Sequence, residues 1–244
     1  MTSLPEWMNR FIFIAHRGAS AYEPENTLRS FKRAIEMGAD AIEFDVRITK
    51  DGSAVVIHDE DLKRVASADA KVRELTVSEL KRYLVYGTEP IPTLEEVLDE
   101  IGGKLPLFIE IKDIEVTSKV VSELKKRGLI NEAIVISFHE EALRIARSED
   151  SSILTGLISA RRNIGIRDIV KHRVNAFLPR HDVVTPRLVR ECHAHGLRVY
   201  AWTVNDPSIA MKMISYGVNG IATDKPDLKR SVSKQQTLLK YLKP

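Results

Sequence analysis

The apolar positions of this chain recur in one repeated unit, an amphipathic segment that ends at a glycine and is followed by a short apolar run. The glycine can take the left-handed conformation that ends a helix, so that the chain turns directly into a strand. The apolar runs are rich in Val and Ile, which is typical of parallel strands buried on both faces. Four glycines mark the unit most clearly: Gly38, Gly128, Gly196 and Gly217.

The apolar runs predict eight strands that alternate with helices. They lie at residues 11–15, 41–44, 106–111, 133–136, 153–157, 174–178, 197–202 and 220–222. Strands that alternate with helices imply a parallel α/β sheet, and eight such units predict closure into a (β/α)₈ TIM barrel. An open doubly wound sheet is the alternative. No G-x-G-x-x-G follows the first strand, which disfavours a dinucleotide-binding version of that sheet.

One stretch interrupts this rhythm between the second strand and a predicted helix at residues 93–101. Asp51-Gly52 is a hairpin signal, and a further apolar run follows at residues 54–57. The polar stretch beyond it contains one predicted short helix, at residues 77–83. We therefore expect residues 1–244 to form a single domain with a small insertion after the second strand, at about residues 59–92, over one mouth of the barrel.

Composition excludes several classes of partner. The 244 residues include 37 basic and 34 acidic side chains, a net charge of +3 that is too balanced to indicate binding to nucleic acid or to a membrane surface. No apolar stretch reaches the roughly 18 residues of a membrane helix, and the first ten residues lack the apolar run of a signal peptide. We expect a cytoplasmic protein without a stable membrane anchor. Cys192, the single cysteine, is expected to be buried.

Polar residues stand where the predicted strands end, the place at which barrel enzymes carry their chemistry. Residues two apart on a strand point to the same face, so Glu43 and Asp45 are neighbours, as are Glu110 and Lys112. If those faces line the barrel, three carboxylates converge, and a hard divalent cation with oxygen ligands would offset their charge. The expected cofactor is one divalent cation, Mg²⁺ or Ca²⁺, with Mn²⁺ as a third option.

An outward-facing second strand is the alternative interpretation. It would place Glu43 and Asp45 on the surface and turn Ile42, Phe44 and Val46 into the barrel. Glu110 and Lys112 would then also have to face outward on their own strand.

Two further groups indicate the kind of substrate and reaction. Arg17 follows the first strand. Arg17, Lys112 and a divalent cation would more than offset the charge of the three carboxylates and leave the site with a net charge of about +1, which suits a phosphodiester monoanion. His16 and His58 each end a predicted strand. A pair of histidines can serve as base and acid in one turnover, because imidazole titrates near neutral pH.

At these residues the chain resembles the glycerophosphodiester phosphodiesterase family. The matching motifs occur in family order over most of the chain: His16-Arg17-Gly18, Pro24-Glu25-Asn26-Thr27, Glu43-Phe44-Asp45, His58-Asp59, Pro92-Thr93-Leu94-Glu95-Glu96, Glu110-Ile111-Lys112, Ser137-Phe138, Trp202-Thr203-Val204-Asn205 and Thr223-Asp224-Lys225-Pro226. One departure falls in the insertion, where Arg64-Val65-Ala66 stands in place of the Arg-Thr-Thr that the family often shows.

The resemblance implies metal-dependent hydrolysis of glycerophosphodiesters, such as glycerophosphocholine or glycerophosphoethanolamine, to sn-glycerol 3-phosphate and an alcohol. Attack by the substrate's own 2-hydroxyl and attack by water both stay open. The alternatives are a related phosphodiesterase acting on lysophospholipids or glycerophosphoinositol, and a non-catalytic barrel. The implied roles are acid/base catalysis for His16 and His58, metal binding for Glu43, Asp45 and Glu110, phosphate binding for Arg17 and Lys112, support of the site for Glu25, and a pocket lining for Phe138 and Trp202.

Overall fold

The computed structural model describes residues 4–241, and side chains as far as residue 234. Its strands are β1 (Ile12–His16), β2 (Ala41–Ile48), β3 (Ala54–Val56), β4 (Leu84–Val85), β5 (Glu89–Pro90), β6 (Leu107–Ile111), β7 (Ala133–Ser137), β8 (Leu154–Ser159), β9 (Ala176–Pro179), β10 (Arg198–Ala201) and β11 (Gly220–Thr223). Its α-helices are α1 (Leu28–Glu36), α2 (Lys63–Ala66), α3 (Val77–Leu80), α4 (Leu94–Ile101), α5 (Thr117–Lys126), α6 (Glu140–Glu149), α7 (Ile166–Val170), α8 (Pro186–Ala194), α9 (Pro207–Ser215) and α10 (Leu228–Tyr241).

Eight parallel strands close into a barrel in chain order. β1 pairs with β2, β2 with β6, each later strand with the next, and β11 returns to β1. This closure confirms the predicted (β/α)₈ TIM barrel and rules out the open sheet. β3 lies outside the ring and pairs in antiparallel fashion with the end of β2, so it carries the chain from the barrel into the segment at residues 59–92.

Two apolar layers follow from the alternation of side chains along the strands. An inner layer, to which Ile14, Phe108 and Tyr200 belong, fills the interior of the barrel. An outer layer packs the other strand faces against the helices. A short 3-10 helix (Glu6–Asn9) closes the N-terminal end of the barrel, where the Trp7 ring meets the Phe108 ring edge-to-face with centroids 5.8 Å apart. This end of the barrel is therefore filled by apolar side chains.

The repeated unit takes the form that the sequence predicts. The four glycines that end its helices all have positive φ: Gly38, Gly128, Gly196 and Gly217. Cys192 is buried on α8 as expected, and burial raises the pKa of its thiol to about 12. The predicted helix at residues 77–83 ends earlier, at Leu80, and turns of the chain follow it. Within residues 4–241, no helix combines the length and apolar character needed to cross a bilayer.

The segment at residues 59–92 builds a small core of its own beside the barrel mouth. It consists of α2, α3, a 3-10 turn and the β4–β5 ribbon. Their apolar side chains gather around Val55 of β3 and Ile57, which directly follows that strand. Sequence periodicity could not predict α2 or the ribbon, since elements of four and two residues are too short to display a period. The cluster holds this segment against the end of β2.

Candidate active site

Strand register brings the acidic side chains together. β1 and β2 are paired so that His16 lies beside Glu43, and β2 and β6 are paired so that Asp45 lies beside Glu110. Neighbouring strands are about 4.8 Å apart, so residues in register on one face are in contact. Carboxylate oxygens of Glu43, Asp45 and Glu110 lie within 4.8 Å of one another, and all three residues are buried.

The second strand faces the barrel in the way that the chemical interpretation requires. Ile42, Phe44 and Val46 belong to the outer apolar layer between the barrel and the helices. Glu43 points the other way and lines the central cavity. The alternative, in which the two acidic residues of β2 lie on the outer surface, is therefore excluded.

The environment of the three carboxylates fits a divalent cation. Oε1 of Glu43 is buried and finds no hydrogen-bond partner among the described residues. Burial and the charge of Asp45 raise the pKa of Glu43 to about 8 and that of Glu110 to about 7. Burial also opposes ionisation of Asp45, but the charges of Lys112 and Arg17 outweigh it and lower that pKa. An oxygen-liganded cation at this point would relieve the crowding and satisfy the unpaired oxygen.

His16 is oriented by the carboxylate of Asp224, the residue directly after the last strand of the barrel. Its Nδ1 lies 2.7 Å from Oδ1 of Asp224, and its Nε2 lies 4.0 Å from Oε2 of Glu43. Asp224 is held in turn by the side-chain amide of Asn205, which donates to its Oδ2 at 2.5 Å. Burial lowers the pKa of His16, but the hydrogen bond to Asp224 and the charge of Glu43 prevail and raise it. The Nδ1 contact leaves Nε2 as the nitrogen that faces the carboxylates.

His58 enters the site from the extra strand, not from the barrel. The preceding Ile57 donates its backbone N–H to the carbonyl of Asp45 at 3.0 Å, which ties His58 to the end of β2. Arg47 donates to the carbonyl of His58 at 2.8 Å, and the imidazole Nδ1 lies 2.7 Å from Oδ1 of Asp59. Burial lowers the pKa of His58, and the charge of Lys112 adds to this effect, against the acidic groups nearby.

Two cations surround the carboxylates. Arg17 donates its backbone N–H to Oε2 of Glu43 at 2.9 Å, and its guanidinium lies 2.9 Å from Oε1 of Glu25 and 3.2 Å from Oδ2 of Asp45. Lys112 has its ammonium 3.0 Å from Oδ1 of Asp45. The sequence-predicted Glu25 therefore lies behind Arg17 and does not line the cavity itself.

The turn that presents Arg17 depends on Gly18, whose φ is +82°. A Cβ at this position would lie 2.4 Å from Oγ and 2.7 Å from the carbonyl carbon of Ser30. We expect Gly18→Ala to lower the free energy of unfolding by roughly 2–5 kcal/mol, the sum of left-handed strain and overpacking, as measured by urea unfolding.

Gly52 provides the matched control for that substitution. Its φ is +74°, but no described atom lies within 4 Å of the added Cβ. Gly52→Ala should therefore show the backbone strain alone, about 1–2 kcal/mol. Equal losses in the two variants would mean that the contact with Ser30 is relieved at no cost.

A cavity of about 160 Å³ opens beside the carboxylates and extends into the barrel. Its floor is apolar, with Ile14, Phe108 and Ile136 among the lining residues. At its rim, the rings of Phe138 and Trp202 meet edge-to-face with centroids 5.8 Å apart. The indole Nε1 of Trp202 donates to a backbone carbonyl at 2.8 Å, which fixes its ring, whereas Phe138 is 45% exposed. The structure thus brings all the sequence-predicted residues to one mouth of the barrel.

Sequence reasoning gave no role to several residues that support this site. Asn26 donates to Oδ2 of Asp45 at 2.8 Å, and Asp224 and Asn205 hold the imidazole of His16 in the way described above. Asp59, which the sequence already pairs with the adjacent His58, holds the second imidazole. All four lie in motifs that the sequence displays, next to strand ends or the first turn. Their position was a usable signal, but the partners of Asn26, Asn205 and Asp224 became visible only in the closed barrel.

A family model gives an independent comparison. The model of the glycerophosphoryl diester phosphodiesterase family matches residues 16–228, and this range contains every sequence-predicted site residue. The chain belongs to this family.

Individual members of the family match nearly the whole chain. A glycerophosphodiester phosphodiesterase of Caldanaerobacter subterraneus is 35% identical over 233 residues, 88% of this chain and 95% of that protein. The crystal structure of a glycerophosphodiester phosphodiesterase from Thermotoga maritima is 33% identical, with a TM-score of 0.80 over 91% of this chain and 98% of that one. A phosphodiesterase from Oleispira antarctica in complex with its product sn-glycerol-3-phosphate is 26% identical, with a TM-score of 0.85 over 93% and 98%.

Proposed function

We propose that this protein hydrolyses glycerophosphodiesters, such as glycerophosphocholine or glycerophosphoethanolamine, to sn-glycerol 3-phosphate and an alcohol. The observation that carries the proposal is the set of three buried carboxylates flanked by two imidazoles, each of which contacts a carboxylate through Nδ1. Membership of the glycerophosphoryl diester phosphodiesterase family and the product held by the Oleispira antarctica relative support the same substrate class. We further propose that the chain works as one domain in the cytoplasm.

Glu43, Asp45 and Glu110 would hold one divalent cation, Mg²⁺ or Ca²⁺, with Mn²⁺ as a third option. When bound, the cation would supply positive charge that polarises the phosphoryl group and stabilises the charge developing on it. Arg17 and Lys112 add two further cations beside the same carboxylates and would bind the phosphate oxygens. Both side chains are largely buried, so their charges are little screened by solvent.

His16 and His58 would share the proton transfers. Each imidazole contacts a carboxylate through Nδ1, so Nε2 is the atom that would take or give a proton in the cavity. The pKa of His16 is raised and that of His58 is lowered. This opposition supports His58 as the base that activates the attacking oxygen, whether of water or of the 2-hydroxyl, and His16 as the acid that protonates the leaving alkoxide.

The size of the cavity favours a small substrate. About 160 Å³ is below the 300–1,000 Å³ typical of pockets for drug-sized ligands, so a glycerol unit suits it better than a long acyl chain. The apolar floor and the exposed ring of Phe138 favour the alternative, a lysophospholipid. Turnover of glycerophosphocholine and of its acylated form, compared at equal concentrations, separates the two. A tenfold preference for the acylated form would reverse the assignment.

Removal of the metal tests the chemistry itself. We expect EDTA treatment to abolish hydrolysis of glycerophosphocholine, because removal of the cation takes away the positive charge that would polarise the phosphoryl group and offset the three carboxylates. Mg²⁺, Mn²⁺ or Ca²⁺ added after removal of the chelator should restore the rate, followed as released glycerol 3-phosphate. Hydrolysis that continues unchanged in EDTA would contradict the metal-dependent mechanism. A purified, metal-supplied protein that hydrolyses no phosphodiester would instead favour the non-catalytic barrel.

A further inference from the structure

The guanidinium of Arg64, in the insertion, contacts two carboxylates of the candidate site, those of Asp59 and Glu25. Nε of Arg64 donates to Oδ2 of Asp59 at 2.6 Å, and its two terminal nitrogens donate to the two oxygens of Glu25 at 2.7 and 2.8 Å. Tyr86 completes the arrangement, since its hydroxyl accepts from Arg64 at 2.9 Å and lies 3.3 Å from Glu25.

Each carboxylate held by Arg64 leads to a different functional group. Asp59 contacts Nδ1 of His58 through its other oxygen, Oδ1, at 2.7 Å. Glu25 accepts from the guanidinium of Arg17 at 2.9 Å. The two chains of contacts leave Arg64 in opposite directions, one toward the proposed base and the other toward the proposed phosphate-binding group.

The insertion fixes the position of Arg64 through buried neighbours. Leu62, just before α2, and Val65, the residue after Arg64 on α2, are buried in the core of the insertion. The backbone N–H of Tyr86 donates to the carbonyl of Val65 at 2.6 Å, which joins α2 to the turn after β4. Arg64 itself is 44% exposed and lines no part of the cavity beside the carboxylates. It therefore acts on the site only through other side chains.

The electrostatic balance agrees with this geometry. Burial alone would raise the pKa of Glu25, yet the hydrogen bonds from Arg64 and the charge of Arg17 lower it. Burial also raises the pKa of Asp59, but the hydrogen bonds and charges of Arg64 and His58 together outweigh it and lower that pKa. Both carboxylates consequently stay ionised and can each hold two partners at once.

We propose that Arg64 is a positioning residue that uses one rigid fork to set both the imidazole of His58 and the guanidinium of Arg17. The inference rests on the proposed function, in which those two groups act on the substrate. Lysine cannot replace the fork, because a single ammonium cannot span three carboxylate oxygens in a plane. In the motif Arg64-Val65-Ala66 the arginine is the residue that matches the family, and the structure gives it this task.

Kinetics with glycerophosphocholine test the proposal. We expect Arg64→Met to lower kcat/KM by roughly 10–100-fold, the usual effect of removing a group that supports catalytic or ligand side chains. Two separate effects should contribute to this loss. The value of kcat should fall because His58 is no longer held through Asp59, and the affinity for sn-glycerol 3-phosphate, measured by calorimetry, should fall because Arg17 is no longer held through Glu25. Arg64→Lys keeps the charge and the fold, and it should still lose most of the activity.

A second background separates positioning from a general loss of structure. In a His58→Ala protein, Arg64→Met should lower kcat by less than about threefold, because the group that it orients is absent. The control is Arg73→Met, which removes another exposed arginine of the insertion that pairs with Glu115, and it should stay within twofold of wild type. An Arg64→Met or Arg64→Lys enzyme at the wild-type rate, or an undiminished loss in the His58→Ala background, would overturn the proposal.

The experiments distinguish an error in the proposed function from an error in the role of Arg64. If the proposed function is wrong, the wild-type enzyme is inactive on glycerophosphodiesters or His58→Ala keeps the full rate. If only the role of Arg64 is wrong, the wild type is active, His58→Ala is impaired and Arg64→Met matches the wild type.

Discussion

Replacement of His16 or His58 by alanine is expected to lower kcat for glycerophosphocholine by roughly 10²–10⁴-fold while the fold stays intact. This range is the usual contribution of a positioned acid or base. Each imidazole has its Nδ1 engaged by a carboxylate, so alanine removes a group that is already oriented for proton transfer. Steady-state kinetics at saturating substrate measure the effect, and circular dichroism checks the fold.

The matched control is His195→Ala, at the exposed end of α8, where the imidazole Nδ1 lies 2.9 Å from the carbonyl of Glu191 on the same helix. This variant should keep the wild-type rate. Asp224→Asn should fall between the two, because the amide still contacts Nδ1 of His16 but no longer supplies the charge that raises its pKa. A His16→Ala enzyme with full kcat at saturating substrate would show that His16 does not transfer a proton in the rate-determining chemistry.

The carboxylates were predictable from sequence because their spacing determines their direction. Glu43 and Asp45 are two residues apart on a strand whose alternate positions, Ile42, Phe44 and Val46, are apolar, so only one face could be polar. The fold was predictable for a similar reason, since eight helix–glycine–strand units have few ways to close. Neither inference required knowledge of which residues meet across the barrel.

The contacts that support His16 and Glu25 were not predictable, because they join distant parts of the chain. His16 and Asp224 are 208 positions apart, and they meet only because β11 returns to β1. Arg64 and Glu25 are 39 positions apart and meet because the insertion packs beside the first turn. Local patterns carry no information about such pairs. The residue types are common ones, and these residues support the site only because the folded chain brings them into contact.

The stability of the metal-free protein is expected to fall as the pH rises from about 5 to 8. The folded pKa of Glu43 is about 8 and that of Glu110 about 7, both above the ordinary value of 4.5, so the folded state binds protons that the unfolded state has released. The stability from these groups is complete below about pH 4.5 and is lost as the pH rises through the folded values. The raised pKa of His16 acts in the same direction, while the lowered pKa of His58 acts against it.

The lowered pKa of Asp45 does not change this slope, because its stabilising effect is complete above the unfolded value of 3.8. A net loss on the order of 2–5 kcal/mol corresponds to a fall in Tm of about 5–15 °C for a chain of this size. Thermal unfolding in EDTA at a series of pH values measures it. Mg²⁺ should restore Tm most strongly at the upper end, since the cation replaces the protons and, at a hundredfold excess over its Kd, adds about 2.7 kcal/mol.

Glu43→Gln separates this effect from the general titration of the surface. The amide preserves the size of the side chain but cannot ionise, so the variant should lose most of the dependence on pH between 5 and 8 and most of its response to Mg²⁺. Glu36→Gln, which removes an exposed carboxylate on α1, should retain both. The crowding of carboxylates is thus a destabilising feature of the folded barrel that a bound cation would relieve, and a metal-free protein that became more stable from pH 5 to 8 would contradict this view of the site.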